Sequence, residues 1–214
     1  MDLLSEGDQW EAVKAWLRQN GLPIVGGLLL GALLLTGWRW WQSKQVSDHQ
    51  AGYAAYENLL GTFDAGDADA SQKQFDLFMA SHGQSAYGAP ARMIFARLLV
   101  ARNDLDRALV QVRTVADTAT DLQLRQVAKL RVARLQIAMG KPDEALTTLG
   151  TADAGSFQSA YAEARGDALQ AKGDAAGALR EYQTAKAARS ASSATAAGTD
   201  LLALKIYDLQ EATP

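Results

Sequence analysis

Apolar positions along this chain follow three regimes. From Gln19 to Trp38 no charged residue occurs, and the heart of the run, LPIVGGLLLGALLLTGW, is apolar all round. At helical rise about twenty such residues reach about 30 Å, the thickness of a bilayer's hydrocarbon layer. The pattern therefore predicts a membrane-spanning helix over residues 19–41. Lys14 and Arg18 precede it, Arg39 and Lys44 follow it, and Trp16, Trp38, Trp40 and Trp41 stand at its two ends. Amphipathic indoles prefer the headgroup level, so these form an aromatic belt. A cleaved leader would have a small-residue cleavage site after the run, where this chain has Trp-Arg-Trp-Trp. An interfacial helix would be polar along one side. The Gly27–Gly31 spacing is of the kind that lets a second helix approach, although glycine is common in membrane helices.

Before the run, residues 1–18 form a second regime. Ser5 and Asp8 resemble a helix N-cap with an acidic first turn. Trp10, Val13, Trp16 and Leu17 recur at spacings of three and four. Two readings fit: an amphipathic helix on the membrane surface or a partner, and a plain extension of the spanning helix.

The third regime, residues 42–214, repeats. ARLLVARNDLDRAL from Ala96, ARLQIAMGKPDEAL from Ala133 and GDALQAKGDAAGAL from Gly166 align without gaps, at periods of 37 and 33 residues. These bracket the period of about 34 that marks tetratricopeptide repeats. Each segment starts on a small residue. Each places Asn103, Gly140 or Gly173 at a turn, then Ala108, Ala145 or Ala178 followed by leucine. Small residues let two antiparallel helices approach; Asn or Gly can end the first helix in the left-handed conformation. Pro142 suits the first position of a second helix, where its missing N–H costs nothing. Val112 and Val115, Leu149 and Tyr182 fill the remainder of each second helix. A degenerate fourth copy lies upstream, with AGYAAYENLLGTF as first helix and Gly66-Asp67 as turn. After an Ala/Ser-rich connection from Ala187 to Gly198, Leu202, Ile206 and Leu209 mark a closing amphipathic helix, the cap that a solenoid needs. The competing reading is a non-repeating Ala-rich bundle. The predicted fold is all-α: one N-terminal transmembrane helix, then a tetratricopeptide-like α-solenoid of three to four helix pairs with a C-terminal capping helix.

Composition narrows the function classes. Apolar residues make up 48% and charged ones 21%, which is ordinary folded material. The net charge is −3 with no basic half, so nucleic acid is not an expected partner. The absence of cysteine excludes disulfides, thiolate metal sites and cysteine nucleophiles. His49 and His82 have no second ligand at metal spacing and form no triad. No phosphate-cradling glycine motif occurs. No catalytic, cofactor or metal residue is therefore predicted, and the chain reads as a non-enzyme. Basic side chains flank both ends of the apolar run equally; the α-amino group tips the balance faintly towards a cytoplasmic N-terminus.

The short acidic N-terminus with EAVK, the Gly-rich run, WRWWQSKQV, AYENLL and the closing LALKIYDL resemble the YfgM-like family of ancillary SecYEG translocon subunits. The stretch Trp38 to Val46 is the most specific part, and the likeness covers nearly the whole chain. The resemblance implies a single-pass protein of the bacterial inner membrane with its repeats in the periplasm. It implies association with the SecYEG translocon and with a membrane-anchored periplasmic prolyl isomerase. The implied task is to pass newly translocated polypeptides to periplasmic chaperones. A different class, a membrane-tethered repeat protein that sequesters a signalling protein, also fits the residues. In repeats of this kind the first helix of each pair lines the concave face. The register then places Tyr53, Tyr56, Met93, Arg97, Val100, Leu130, Arg134 and Ile137 on a partner-binding face, with Glu163, Asp167 and Gln170 from the last pair. Arg97 and Arg134 stand at equivalent positions and could hold carboxylates bidentately, or merely solvate the face and pair with local acids.

Overall fold

The computed structural model describes the backbone of residues 6–150, 154–191 and 201–211; in the first helix it describes side chains from position 10 on, except 12, 15, 19, 22 and 24. Among the described residues the fold is all-helical, as the pattern predicts. Helix α1 spans Glu6–Asp64, α2 Ala68–His82, α3 Gly88–Ala101, α4 Leu105–Thr118, α5 Leu122–Ala138 and α6 Pro142–Leu149. A 3-10 turn at Gly155–Phe157 leads into α7 (Gln158–Ala171), followed by α8 (Ala175–Ala191) and α9 (Leu201–Glu211). The predicted cap at Ser5 and most of the Ala/Ser-rich connection lie outside the described residues.

The chain divides into two compact units, Met1–Ala54 and Ala55–Pro214. In the first, α1 runs unbroken through Pro23 and the apolar run. Leu28, Leu29, Leu30, Leu33, Leu34 and Leu35 are each between 61% and 69% exposed. Thr36 donates its hydroxyl back to the Ala32 carbonyl at 2.7 Å, and the Asn20 amide donates to the Trp16 carbonyl at 3.1 Å. The indoles of Trp38 and Trp41 stand 5.5 Å apart, and Lys44 lies 5.7 Å from the Trp40 ring. Among the described residues no helix is long and apolar enough to cross a membrane. Gln19, Leu22 and Ile24, which belong to the uncharged run, lie outside the described side chains.

The second unit stacks helix pairs: the end of α1 with α2, then α3 with α4, α5 with α6 and α7 with α8, closed by α9. The turn inside each aligned pair is the same object. Asp104, Lys141 and Asp174 donate their N–H groups to the carbonyls of Leu99, Gln136 and Leu169, at 2.9, 2.8 and 2.9 Å. Asn103, Gly140 and Gly173 sit at φ of 60°, 73° and 83°. This is the left-handed helix ending that asparagine and glycine allow. Gly66 repeats it upstream at φ 78°, and Asp67 then caps α2 through the N–H groups of Asp69 and Ala70. Asp104 and Asp174 cap α4 and α8 in the same manner. Pro142 opens α6, as expected.

Among the described residues three apolar clusters run along the unit. The first joins Leu59 and Phe63 of α1 to Phe75 and Phe78 of α2, Phe95 of α3 and Val112 of α4; Phe75 and Phe95 stack at 4.1 Å. The second gathers Leu130, Ala133, Ala145, Leu149 and Tyr161. The third sets Tyr182 and Ala178 against Leu202, Ile206 and Leu209 of α9. Ala108, Ala145 and Ala178 are fully buried, where the register places close helix approach. The small position that begins each repeat is matched to the residue sixteen further on. The pairs read Ala96–Val112, Ala133–Leu149 and Gly166–Tyr182. Where the partner grows to tyrosine the small residue shrinks to glycine, and a Cβ on Gly166 would collide with the Tyr182 ring.

Buried polar groups tie the helices together, both within a pair and between successive pairs. Gln136 is 2% exposed; it donates to Glu144 at 3.1 Å and accepts from the Thr148 hydroxyl at 2.8 Å. The Tyr161 hydroxyl donates to the Gln126 carbonyl at 3.0 Å. The Arg165 guanidinium is buried and donates to Glu181 at 2.9 Å and to the Gly150 carbonyl at 3.3 Å. A charge taken out of water needs such saturation, and removing one partner strands the other.

Candidate docking groove

The first helices of the second and third pairs, α3 and α5, border a groove of about 340 Å³. Its α3 wall is Met93, Ala96, Arg97 and Val100; its α5 wall is Arg131, Arg134, Leu135 and Ala138. Leu105 and Val112 of α4 complete the floor. Met93 is buried and Val100 is 43% exposed, so the apolar floor continues onto the surface. Arg97, Arg131 and Arg134 are exposed. None of the three has an ion pair or hydrogen bond among the described residues. Among the described residues no acidic side chain lines the groove. The neighbouring arginines are occupied: Arg92 donates to Gln111 at 2.7 Å, Arg102 to the Gly66 carbonyl at 3.1 Å, and Arg107 to Asp104 and Gln72.

The groove brings together four of the eight residues that the register assigns to a binding face: Met93, Arg97, Val100 and Arg134. The other four lie elsewhere. Leu130 is 7% exposed and packs in the second cluster with Ala145 and Tyr161; Ile137 packs against the same cluster. Leu130 is covered and Ile137 partly so, and α5 and α7 pack directly on each other. Tyr56 belongs to the first cluster, stacked on Tyr87 at 5.4 Å and 6.2 Å from Phe78, and burial raises its pKa. Tyr53 is half-exposed and belongs to the first unit. Ala96, Leu105, Val112, Arg131, Leu135 and Ala138 also line the groove without having been assigned to the face, and Arg131 is the charged one among them. It stands three positions before Arg134, on the same helical face, and that spacing was a usable signal.

At the equivalent positions of α7, Glu163 and Asp167 are taken by the capping helix. Lys205 of α9 reaches Glu163 at 3.1 Å and Asp167 at 2.6 Å, and lies 5.4 Å from the Tyr182 ring. Arg189 of α8 also reaches Glu163, at 3.1 Å. The Tyr182 hydroxyl is within hydrogen-bond reach of Asp167 at 2.7 Å and of Gln170 at 2.8 Å. Burial, then the hydrogen bond and charge of Asp167, drive the Tyr182 pKa upward. Burial alone lowers that of Lys205, but hydrogen bonds to Asp167 and Glu163 outweigh it and leave the pKa raised.

Among the described residues no group of three or more acidic or histidine side chains could hold a metal ion. His82 ends α2, its ring 5.7 Å from that of Phe78, and lies in no such group.

Comparison with known proteins agrees with this architecture. The tetratricopeptide repeat-like domain family matches residues 14–211. The chain is 34% identical to the Ancillary SecYEG translocon subunit of Escherichia coli (strain K12), over 96% of this chain and 97% of that protein. It is 26% and 28% identical to proteins of the same name from Haemophilus influenzae and Aggregatibacter actinomycetemcomitans, each over 86% of this chain and 89% of the relative. No solved structure matches. The repeat turns, the capped helix pairs and this near full-length likeness together mean that the chain belongs to the family of ancillary SecYEG translocon subunits, with a tetratricopeptide repeat-like domain.

Proposed function

We propose that this chain is a non-enzymatic accessory subunit of an inner-membrane SecYEG channel, held there by its apolar N-terminal run, with its repeats in the periplasm. The observation that carries the reading is the 34% identity to an ancillary translocon subunit across almost the whole of both chains. The anchor rests on the uncharged stretch from Gln19 to Trp38 and on six successive-turn leucines that lie open to their surroundings. Leucines so exposed in water would be costly; in hydrocarbon they are at home. Indoles and cations gathered after Gly37 fit the lipid headgroup level. The repeat unit then serves as a binding platform for periplasmic chaperones, a membrane-anchored prolyl isomerase, or polypeptide emerging from the channel.

Topology gives a direct test. Alkaline phosphatase fused after Pro214 matures only in the periplasm, so the fusion is expected to be active, and a cytoplasmic reporter at the same point silent. The reverse pair of results overturns the orientation. Crosslinking in intact membranes is expected to capture channel subunits; a folded, anchored chain that captures none contradicts the accessory role.

A further inference from the structure

We infer that the groove between α3 and α5 is a docking site for a segment of a partner polypeptide that carries carboxylates beside bulky apolar side chains. This inference rests on the platform role proposed above and narrows it to one surface and one chemistry.

The argument starts from how the same face is treated along the unit. On α7 it is acidic, and the chain covers it itself: α9 lays Leu202, Ile206 and Leu209 on the last pair and sends Lys205 to Glu163 and Asp167. On α5 the face is apolar at Leu130 and Ile137, and α7 covers it. On α3 the position equivalent to Asp167 is Arg97. Across the gap from it, α5 presents Arg131 and Arg134, charges of the same sign. Among the described residues no side chain of the groove supplies an anion to these three guanidinium groups, in a chain whose net charge is −3. Like charges lining one gap favour an occupant of opposite charge.

The floor determines what kind of anion. Met93, Val100, Leu105 and Leu135 are apolar, and an inorganic anion or a lone headgroup leaves them wet. A volume of about 340 Å³ is at the lower end for a ligand site and takes a few side chains, not a folded domain. An amphipathic segment satisfies both walls at once: its apolar side chains fill the floor and its carboxylates receive the guanidinium forks. It is the charge mirror of what α9 does to α7.

Fluorescence anisotropy on the full-length chain in neutral detergent tests this. Three short labelled peptides are compared: one of Leu, Phe and Glu, one with Gln for every Glu, and one with Ser for every Leu and Phe. The first is expected to bind, and each of the others about tenfold more weakly. The triple variant Arg97→Gln, Arg131→Gln, Arg134→Gln should reduce the acidic peptide to the affinity of its Gln analogue. As a second variant, Arg97→Glu with Arg134→Glu should instead prefer an analogue with Lys for Glu; both variants alter exposed side chains, and circular dichroism checks their folding. Equal affinity for the Glu and Gln peptides overturns the inference. So does wild-type affinity in the triple variant, or a groove that takes up anionic lipid vesicles and no peptide. Co-purification of channel subunits is scored on the same samples. Peptide binding without channel association sinks the translocon reading and keeps the groove; channel association without charge-selective peptide binding does the opposite.

Discussion

Gly166 and Tyr182 show how tightly one residue is tied to another in this repeat unit. The Tyr182 ring occupies the volume that a Cβ at position 166 would need, and the two helices α7 and α8 meet there with no exposed surface on the tyrosine. Gly166→Ala is expected to cost about 1–3 kcal/mol through overpacking, although alanine is intrinsically the better helix former. Tyr182→Leu vacates the space. Its own cost, from lost hydrogen bonds to Asp167 and Gln170, should be smaller in the Gly166→Ala background than in the wild type. Denaturation midpoints of the four chains read this cycle directly, and strictly additive values would mean that the ring has another place to go. The sequence register revealed the small position and the large one separately. That they are a matched pair could be read only once the helices were seen in contact, because sixteen residues of separation carry no periodic signal.

Among the elements, α9 is held by an apolar face and by charge together. Its apolar face is Leu202, Ile206 and Leu209, and its specificity comes from Lys205 against Glu163 and Asp167, with Arg189 sharing Glu163. Lys205 and Tyr182 both have pKa values raised in the folded chain. Their contribution to stability is therefore complete below the unfolded values, 10.5 for the lysine and 10.0 for the tyrosine, and is lost as pH rises through the folded ones. Thermal melts are expected to be flat across the neutral range and to fall in strong alkali, with a smaller fall for Lys205→Met. A decline already at neutral pH would assign the pH response to other groups. Turns were the legible part of these elements, since Asn103, Gly140 and Gly173 carry the left-handed backbone; that the aspartates after Asn103 and Gly173 cap the next helix emerged from the structure. The binding face was legible only by halves. Repeat-equivalent residues share a direction, but the neighbour decides their exposure: Leu130 and Ile137 face a helix where Val100 faces open space. The missed Arg131 has no arginine at the equivalent place in the other repeats, so alignment of repeats alone could not find it.

At the scale of the whole molecule, the first unit offers apolar surface and the second offers a repeat scaffold with a basic groove. Replacing Leu29 and Leu33 by arginine puts two charges in the middle of the uncharged run, each costing about 2.5–3.5 kcal/mol at a bilayer centre. The proposed anchor then fails: the wild-type chain is expected to stay with membranes through alkaline carbonate extraction, and the double variant to appear in the supernatant. Retention of the variant would mean that another part of the chain holds it to the membrane. The ion pairs of α9 bear on the history of the fold as well as its stability. Repeat arrays lengthen by duplication, and a duplicated pair must find a receptive end. Here Glu163 and Asp167 accept a lysine at a fixed place, whereas a copy of α3 or α5 inserted after Ala191 would bring its own side chains to them without that lysine. Growth at the C-terminal end would therefore have to find both acids a new cationic partner, so variation in repeat number within this architecture is expected to arise upstream of α7.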